Sequence, residues 1–354
     1  MAGLSIFVNR KVLQTSSSPP NQVTTFLVIR FSAIGDIILT TPVLALIKKH
    51  YPEAQVHFLV KPKFATVLSN IPYIDKVIVF NTFRKILSEL RQNQYSYIFD
   101  LQNSLRSYLL CKLLPFPSIA VDKQNIQKFR MTFFKRRLQV PHIVIRYCNV
   151  LQQINIQEAP EKLLFSSEST TEIQYQVSEL KKHSLPVVAA VLGATHFTKR
   201  WPYEYWVTAL NQIGWPVILL GGQAEQKAIS HLISRLEIPS FNACGLLTLA
   251  QSAACIQETD IVISHDTGLM HIAAAFQKPI VSIWGNTVPE FGMYPWQTNW
   301  LSAEVELSCR PCHKIGYPKC PQQHFRCMLE NYPEKIATLT KQLWNYHLQN
   351  PYTK

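Results

Sequence analysis

The sequence places one carboxylate, Asp36, in a tight turn between an apolar run and a helix-like segment, within FLVIRFSAIGDIILTTPVLALIKK. Gly35 permits the turn, and Asp36 would stand at the start of the helix, where an acid interacts well with free backbone amides. The same carboxylate could accept the proton of a hydroxyl group that attacks an electrophilic carbon. The local pattern favours the helix cap and leaves the catalytic role open.

A second set of polar turns follows apolar runs in the other half of the chain. In VLGATHFTKRWP, Lys199 and Arg200 would bring cations to the end of a strand. There they could bind a diphosphate or simply form an exposed basic loop. In IVISHDTGLMHIAAA, the turn at residues 266–268 precedes a helix of small residues, whose first amides can bind a phosphate. This segment is the strongest single indication of a ligand site.

The side chains around this turn suit different parts of a ligand. Thr267 supplies a hydroxyl group, and His271 lies four residues later on the same helix face. Asp266 would repel a phosphate, so we expect it to accept bonds from sugar hydroxyls or to orient the turn. Glu225, after a Gly-Gly pair, could bind ribose hydroxyls or act only as a first-turn acid. The segment lacks the G-x-G-x-x-G pattern, which disfavours a nicotinamide-dependent dehydrogenase.

Apolar runs rich in β-branched residues alternate with helix-like segments twice along the chain. We predict strands at residues 26–31, 56–60, 77–80 and 97–100, and again at 187–192, 217–220, 261–264 and 280–284. We predict helices at residues 37–49, 203–212, 224–236, 247–255 and 269–276. This alternation predicts an α/β fold with two Rossmann-like, doubly wound domains that face each other across a cleft. Ligands of such sheets bind beyond the carboxyl ends of the strands, where the turns described above lie.

Four segments are expected along the chain. Residues 1–24 form a flexible leader, 25–165 the first domain, 166–330 the second domain, and 331–354 an amphipathic helix that crosses back to the first domain. The leader has no signal-peptide pattern, and no uncharged apolar run reaches the ~18 residues of a membrane-spanning helix. We therefore expect a cytoplasmic protein.

The chain is strongly basic, with a formal net charge of +13 from 35 Lys and Arg against 22 Asp and Glu. Such a surplus indicates an anionic partner, which could be nucleic acid, an acidic membrane surface or a phosphorylated substrate. Residues 123–137, KQNIQKFRMTFFKRR, interleave cations with aromatic side chains. This pattern suits a phospholipid surface or an RNA strand, and it also occurs on solvated helix faces.

The ordered set of these motifs resembles glycosyltransferase family 9, the ADP-heptose:lipopolysaccharide heptosyltransferases. The resemblance covers residues 26–328 and rests on the first turn, HIVIRY, KRWP, LLGG, SHDTGLMHIAAA and WGNT. It implies a GT-B fold and inverting transfer of a heptose from ADP-heptose to the inner core of lipopolysaccharide, with no cofactor or metal required. It also implies an acceptor that carries lipid A, and work at the cytoplasmic face of the anionic inner membrane, without nucleic acid as a partner.

The resemblance also assigns roles to residues. Asp36 takes the position of the general base, and Lys199 that of the diphosphate contact. The donor would be bound by Thr195, Lys199, Arg200, Glu225, Asp266, Thr267, Gly268, Leu269 and His271. The acceptor would be bound by Ser32, Gly35, Lys128, Arg130, Lys135 and Arg136. Two departures from the family pattern, Ala33 and His265, could change the donor base or sugar.

Four cysteines near the C-terminus form the pattern C-x2-C-x7-C-x6-C. They are Cys309, Cys312, Cys320 and Cys327. One C-x2-C pair with two further cysteines could bind a structural zinc ion, but the second half lacks the paired spacing of zinc ribbons. We therefore expect reduced thiols that pack a loop, with zinc as the alternative.

Two other functions remain open from the sequence. Another GT-B enzyme that acts on nucleotide sugars, such as a 2-epimerase or a transferase with a different donor, would share the fold. A non-enzymatic polyanion-binding protein would explain the charge and would bind in a salt-sensitive manner. The motif turns in both halves of the chain argue against this second alternative.

Overall fold

The computed structural model describes residues 24–352 of the chain. The predicted leader, residues 1–24, lies outside this range except for Thr24. No helix within the described range is long and apolar enough to cross a lipid bilayer.

The first half of the chain folds around a sheet of five parallel strands in the order β3-β2-β1-β4-β5. The strands are β1 (Thr25–Ile29), β2 (Gln55–Val60), β3 (Lys76–Val79), β4 (Tyr97–Asp100) and β5 (Ser118–Ala120). The helices of this half are α1 (Ile34–Ile38), α2 (Thr41–His50), α3 (Ala65–Leu68), α4 (Phe83–Arg91), α5 (Leu105–Leu113), α6 (Asn125–Phe134) and α7 (Ile143–Cys148). Strand β1 lies at the centre because its residues are apolar on both faces.

The second half folds around six parallel strands in the order β11-β10-β9-β6-β7-β8. The strands are β6 (Val188–Val191), β7 (Val217–Leu220), β8 (Ser240–Asn242), β9 (Ile261–His265), β10 (Ile280–Trp284) and β11 (Trp300–Glu304). The helices are α8 (Thr171–Lys181), α9 (Tyr203–Ile213), α10 (Gln223–Ile229), α11 (Leu249–Glu258), α12 (Gly268–Ala275), α13 (Arg326–Leu329) and α14 (Pro333–Gln349). The prediction of two doubly wound α/β sheets is therefore confirmed.

Both sheets reverse their strand order next to their first strand, between β1 and β4 and between β6 and β9. Ligands of doubly wound sheets bind at such a switch point, beyond the carboxyl ends of the strands. The turn that carries Asp36 follows β1, and the turn that carries Asp266 follows β9. The topology therefore puts both turns at the ligand-binding edges of their sheets.

The single helix predicted at residues 37–49 is interrupted, because Pro42 has no backbone N–H to bond the carbonyl of Ile38. The Thr41 hydroxyl donates to that carbonyl instead, at 2.8 Å, and the Thr40 hydroxyl donates to the Ile37 carbonyl at 2.6 Å. The Thr41 oxygen also accepts from the Leu164 amide at 2.9 Å. The break thus makes α1 a short helix of its own, separate from α2.

The C-terminal helix α14 packs against α9, β9, β10 and β11 of the second half. Its buried residues Ile336, Ala337 and Leu343 belong to the same core as Trp206 and Val281. The prediction that this helix crosses back to the first domain is therefore wrong for its buried face. An amphipathic pattern shows that a helix has an apolar side, but it does not show which sheet that side covers.

Candidate active site

The two domains meet where the N-terminal turns of α1 and α12 contact each other, and each turn contains a glycine. A Cβ atom on Gly35 would lie 2.6 Å from Cδ2 of His271, and one on Gly268 would lie 2.8 Å from Cγ2 of Ile34. Real side chains do not approach this closely, so any other residue at either position would push the turns apart. The pair of glycines therefore sets how near the first domain comes to the 266–268 turn.

Asp36 is held at this junction by a buried arginine. The Arg30 guanidinium lies 2.7 Å from Oδ1 of Asp36, and it also donates to the carbonyls of Ser32 and Leu101, both at 2.8 Å. The other carboxylate oxygen, Oδ2, accepts from the Ala33 amide at 3.2 Å. Burial lowers the pKa of Arg30, but Asp36, Tyr147 and Asp100 together outweigh this effect and the net shift is upward. The guanidinium therefore stays charged and fixes the carboxylate, which remains partly open to the cleft.

Arg30 was missed in the sequence, although a charged residue within the apolar run FLVIRF was a visible signal. The ring of Tyr147 lies beneath its guanidinium, with 5.8 Å from Cζ to the ring centroid. Tyr147 is fully buried, and its hydroxyl has no hydrogen-bond partner among the described residues. The HIVIRY segment therefore reaches the site through Tyr147, at the end of α7.

Further cations face Asp36 from the rest of the junction. Burial lowers the pKa of Lys128 to about 7, the nearby charges of Arg146, Lys314 and Lys123 contribute in the same direction, and Asp36 opposes them. Arg146 is buried, and it donates to the carbonyls of Pro141 and Lys123 at 3.0 and 2.9 Å. This cluster gives the Asp36 side of the cleft a positive field that suits an anionic ligand.

The other predicted acceptor cations lie elsewhere. The Lys135 ammonium donates to the Pro311 carbonyl at 3.0 Å and so ties the end of α6 to the second domain. Arg130 and Arg136 line a separate cavity of about 190 Å³ with Phe134 and Leu138. Of the four predicted cations, only Lys128 is therefore placed to act together with Asp36.

A groove of about 520 Å³ opens beyond the carboxyl ends of β1, β2 and β4. Its lining combines apolar and polar side chains and includes Phe31, Lys61, Gln102, Leu105, Arg106 and Leu109. The Gln102 amide oxygen accepts from the Phe31 backbone N–H at 2.9 Å, which links the ends of β1 and β4. The groove thus lies at the switch point of the first sheet, on the same side as Asp36.

In the second domain, the turn after β9 is organised around Asp266. Its Oδ2 lies 2.5 Å from the Lys199 ammonium and accepts from the Thr287 hydroxyl at 3.1 Å. Both charged side chains are mostly buried, with 15% and 12% exposure. Lys199 is therefore held at the carboxyl end of the sheet, and Asp266 is the group that holds it.

The N-terminus of α12 has no side-chain cap, because the Thr267 hydroxyl makes no bond to the first turn. It lies instead 3.4 Å from the Ser264 hydroxyl. Free amides at a helix N-terminus attract phosphate groups. Gly268 and Leu269 open this helix, so the three predicted donor residues 267–269 lie at an uncapped end beside Lys199.

The remaining residues predicted to bind the donor differ in their burial and in their contacts. Glu225 is buried, accepts from the Gly222 amide at 2.9 Å, and lies against Gly193, so the first-turn cap is its observed role. The Arg200 guanidinium donates to the Ala194 carbonyl at 2.6 Å and braces the turn after β6, whereas Thr195 is exposed. His271 is buried against Gly35, and burial lowers its pKa to about 4, so its ring is neutral at the domain contact.

His265 has a core role that sequence reasoning did not foresee. It is fully buried, and its Nε2 accepts from the Trp201 amide at 2.9 Å, which ties the end of β9 to the start of α9. Arg310 was also missed, because nothing in the cysteine-rich segment marks it. It is buried and donates to the Thr287 carbonyl at 2.9 Å, and so it supports the loop that contacts Asp266.

The four C-terminal cysteines are free thiols. Cys309 Sγ lies 3.7 Å from Nε2 of His324, and the Cys312 thiol donates to the Cys309 carbonyl at 3.1 Å. Within residues 24–352, no three His, Cys, Asp or Glu side chains are grouped so as to hold a metal ion. The zinc alternative therefore gains no support from the arrangement of these side chains.

Two Rossmann-like domains whose switch points meet across a cleft form the GT-B architecture of glycosyltransferases. The chain is similar in structure to a family 9 glycosyltransferase from Veillonella parvula, with a TM-score of 0.71 and 20% identity over 93% of this chain and 100% of that one. It is also similar to the Escherichia coli ADP-heptose LPS heptosyltransferase II, with a TM-score of 0.67 and 20% identity over 92% and 100% of the two chains.

Comparison of sequences also points to the glycosyltransferases of family 9. Lipopolysaccharide heptosyltransferase 1 of Campylobacter coli is 26% identical over 349 residues, which cover 90% of this chain and 98% of that protein. The family model of glycosyltransferase family 9 (heptosyltransferase) matches residues 83–321. The chain belongs to glycosyltransferase family 9.

Replacement of Arg30 by lysine is expected to lower kcat by about 100-fold, the size of effect that a misplaced reacting group can have. An ammonium cannot reach Asp36, Ser32 and Leu101 together, whereas a guanidinium can. KM for the donor should change little, because Arg30 lies in the first domain. Steady-state kinetics would measure both constants. Arg91→Lys, which alters an exposed arginine bonded to one carbonyl, is the matched control. Equal kcat values for the two variants would contradict the positioning role.

The ionisation of Lys128 should make acceptor binding depend on pH. Its pKa of about 7 means that the ammonium is lost as pH rises from 6 to 8.5. KM for an anionic acceptor should therefore rise by up to about tenfold across this range. In Lys128→Arg the charge persists, so the rise should be smaller. The ionisation of the substrate itself affects both proteins equally. Identical plots of KM against pH for the two proteins would therefore show that Lys128 does not contact the acceptor.

Proposed function

We propose that this family 9 enzyme is an inverting heptosyltransferase that moves a heptose from ADP-heptose to the inner core of lipopolysaccharide. The observation that carries the proposal is the contact between α1 and α12. It sets a carboxylate of the first domain, Asp36, opposite an uncapped helix N-terminus and a lysine of the second domain, Lys199. A base and a leaving-group site on opposite walls of a cleft suit a direct displacement.

In the proposed reaction, the acceptor hydroxyl forms a bond to the anomeric carbon while the bond from that carbon to the β-phosphate oxygen breaks. Asp36 takes the hydroxyl proton, and ADP leaves with the electron pair. Lys199 and the amides of α12 stabilise the charge that develops on the diphosphate. Since the attack comes from the face opposite the leaving group, a single displacement inverts the anomeric configuration.

The donor and acceptor are supported by chemistry and by relatives. The similar E. coli protein is an ADP-heptose LPS heptosyltransferase, and the similar Campylobacter protein is a lipopolysaccharide heptosyltransferase. The groove of about 520 Å³ at the carboxyl ends of β1, β2 and β4 offers room for a sugar-bearing acceptor, and the cations near Lys128 offer charge for its phosphate groups. A phosphorylated acceptor would thus account for the excess of basic residues in the chain.

Asp36→Asn is expected to reduce kcat by about 10²–10⁴-fold, the range typical for loss of a general base. Asparagine keeps one oxygen that can accept from the Arg30 guanidinium and loses the second acceptor, which the Ala33 amide uses, so the variant keeps one of the two contacts that hold this side chain. KM for the donor should change less than threefold. Single-turnover transfer to a defined acceptor would measure the chemical step. A folded Asp36→Asn protein with kcat within tenfold of the original would eliminate Asp36 as the base.

The donor can be identified by thermal stabilisation with ADP-, GDP-, UDP- and CMP-sugars. A ligand at a hundredfold excess over its Kd should stabilise the fold by ~2.7 kcal/mol. We expect the shift with ADP-heptose alone, and a smaller shift in Lys199→Ala. A preference for another nucleotide sugar would change the assigned donor and leave the transferase assignment intact. Conversion of the donor in the absence of acceptor would instead indicate an epimerase.

A further inference from the structure

Helices α5 and α6 carry a concentration of exposed apolar side chains. Of the 21 large apolar residues that are exposed in the described part of the chain, eight lie between residues 105 and 134, with exposures of 44–76%. They are Leu105, Tyr108, Leu109, Leu113, Ile126, Phe129, Phe133 and Phe134. Scattered apolar residues on a surface need no explanation, but a contiguous patch marks an interaction site.

The two helices begin side by side. The Asn103 amide, just before α5, donates to the Val121 carbonyl at 2.7 Å. The Lys123 ammonium, just before α6, donates to the Asn103 carbonyl at 3.3 Å. Helices α5 and α6 therefore begin next to each other on the first domain, and we call their exposed apolar side chains together the α5–α6 face.

The same stretch is strongly basic. Residues 105–137 contain eight Lys and Arg against one acid, Asp122, a surplus of seven from the net +13 of the whole chain. Lys135 and Arg137 contact the second domain, but Arg106, Lys112, Arg130 and Arg136 are exposed. Apolar side chains flanked by exposed cations suit the surface of an anionic bilayer. The apolar side chains can insert among the acyl chains, and the cations can bind the negatively charged headgroups.

We propose that the α5–α6 face docks on an anionic lipid bilayer. Four of the eight exposed side chains, Leu105, Leu109, Leu113 and Ile126, are aliphatic and offer no ring on which a nucleic-acid base could stack. The rings of the three phenylalanines of α6 contact one another. Phe129 and Phe133 stack with centroids 5.6 Å apart, and Phe133 meets Phe134 edge-on at 5.0 Å. These features favour lipid over RNA.

The α5–α6 face extends to the groove at the carboxyl ends of β1, β2 and β4, because Leu105, Arg106 and Leu109 of α5 line that groove. A substrate anchored in the bilayer would therefore reach the groove along α5 without leaving the lipid surface. This consequence rests on the proposed function, whereas the docking itself depends only on the face.

Sedimentation of the full chain with vesicles tests the proposal. We expect binding to vesicles of phosphatidylglycerol and phosphatidylethanolamine, and at least tenfold weaker binding to vesicles of phosphatidylcholine alone. The variant Phe129→Ser/Phe133→Ser should bind the anionic vesicles about tenfold or more weakly, since it loses two inserting side chains. The matched control is Leu246→Ser/Tyr346→Ser, which removes two similarly exposed side chains of the second half, and it should bind as the original does.

Equal vesicle binding by the two double variants would overturn the proposal. It would also be overturned if single-stranded RNA bound more tightly than anionic vesicles and if Phe129→Ser/Phe133→Ser weakened the RNA complex. The vesicles hold neither donor nor acceptor, so their binding is independent of the transfer reaction. Transfer to a water-soluble, delipidated acceptor should be unchanged in Phe129→Ser/Phe133→Ser, and this measurement separates loss of docking from loss of catalysis.

Discussion

The close approach of Gly35 and Gly268 is the constraint on which the site depends. Each glycine lies at the first turn of a helix, one from each domain, and neither position has room for a Cβ atom. Because the turns touch, the carboxylate at the start of α1 and the free amides at the start of α12 belong to one cleft. Two separately folded sheets thereby acquire a single reaction site, at the point where each sheet reverses its strand order.

Two ion pairs prepare this cleft before any ligand binds. Arg30 holds Asp36 on the first side, and Asp266 holds Lys199 on the second. Each pair is tied to the ends of neighbouring strands through further hydrogen bonds, from Arg30 to Leu101 and from Thr287 to Asp266. Charged groups fixed in advance need little reorganisation when charge develops in a transition state. Arg30, which the sequence analysis overlooked, holds the predicted Asp36, and Thr287 of the WGNT motif bonds the predicted Asp266.

Sequence patterns predicted the buried parts of the fold better than its edges. Strands β4, β7 and β10 lie at their predicted residues because apolar, β-branched runs identify central parallel strands. The edge strands β5, β8 and β11 were missed because they are short or largely polar and half exposed. The motif turns after β1 and β9 could be found because they follow such runs. Contacts between segments that are distant in the sequence, such as that of α14 with the second sheet, cannot be predicted from the local sequence pattern.

The central claim is that the glycine contact places the base of one domain against the donor site of the other. Gly35→Ala tests it most directly, with kcat at saturating substrates and the affinity for ADP measured on the same protein. We expect kcat to fall by about 100-fold, as happens when reacting groups are displaced by roughly 1 Å, while ADP binding, which we assign to the second domain, should stay within threefold. A folded Gly35→Ala enzyme with kcat within twofold of the original would contradict the claim.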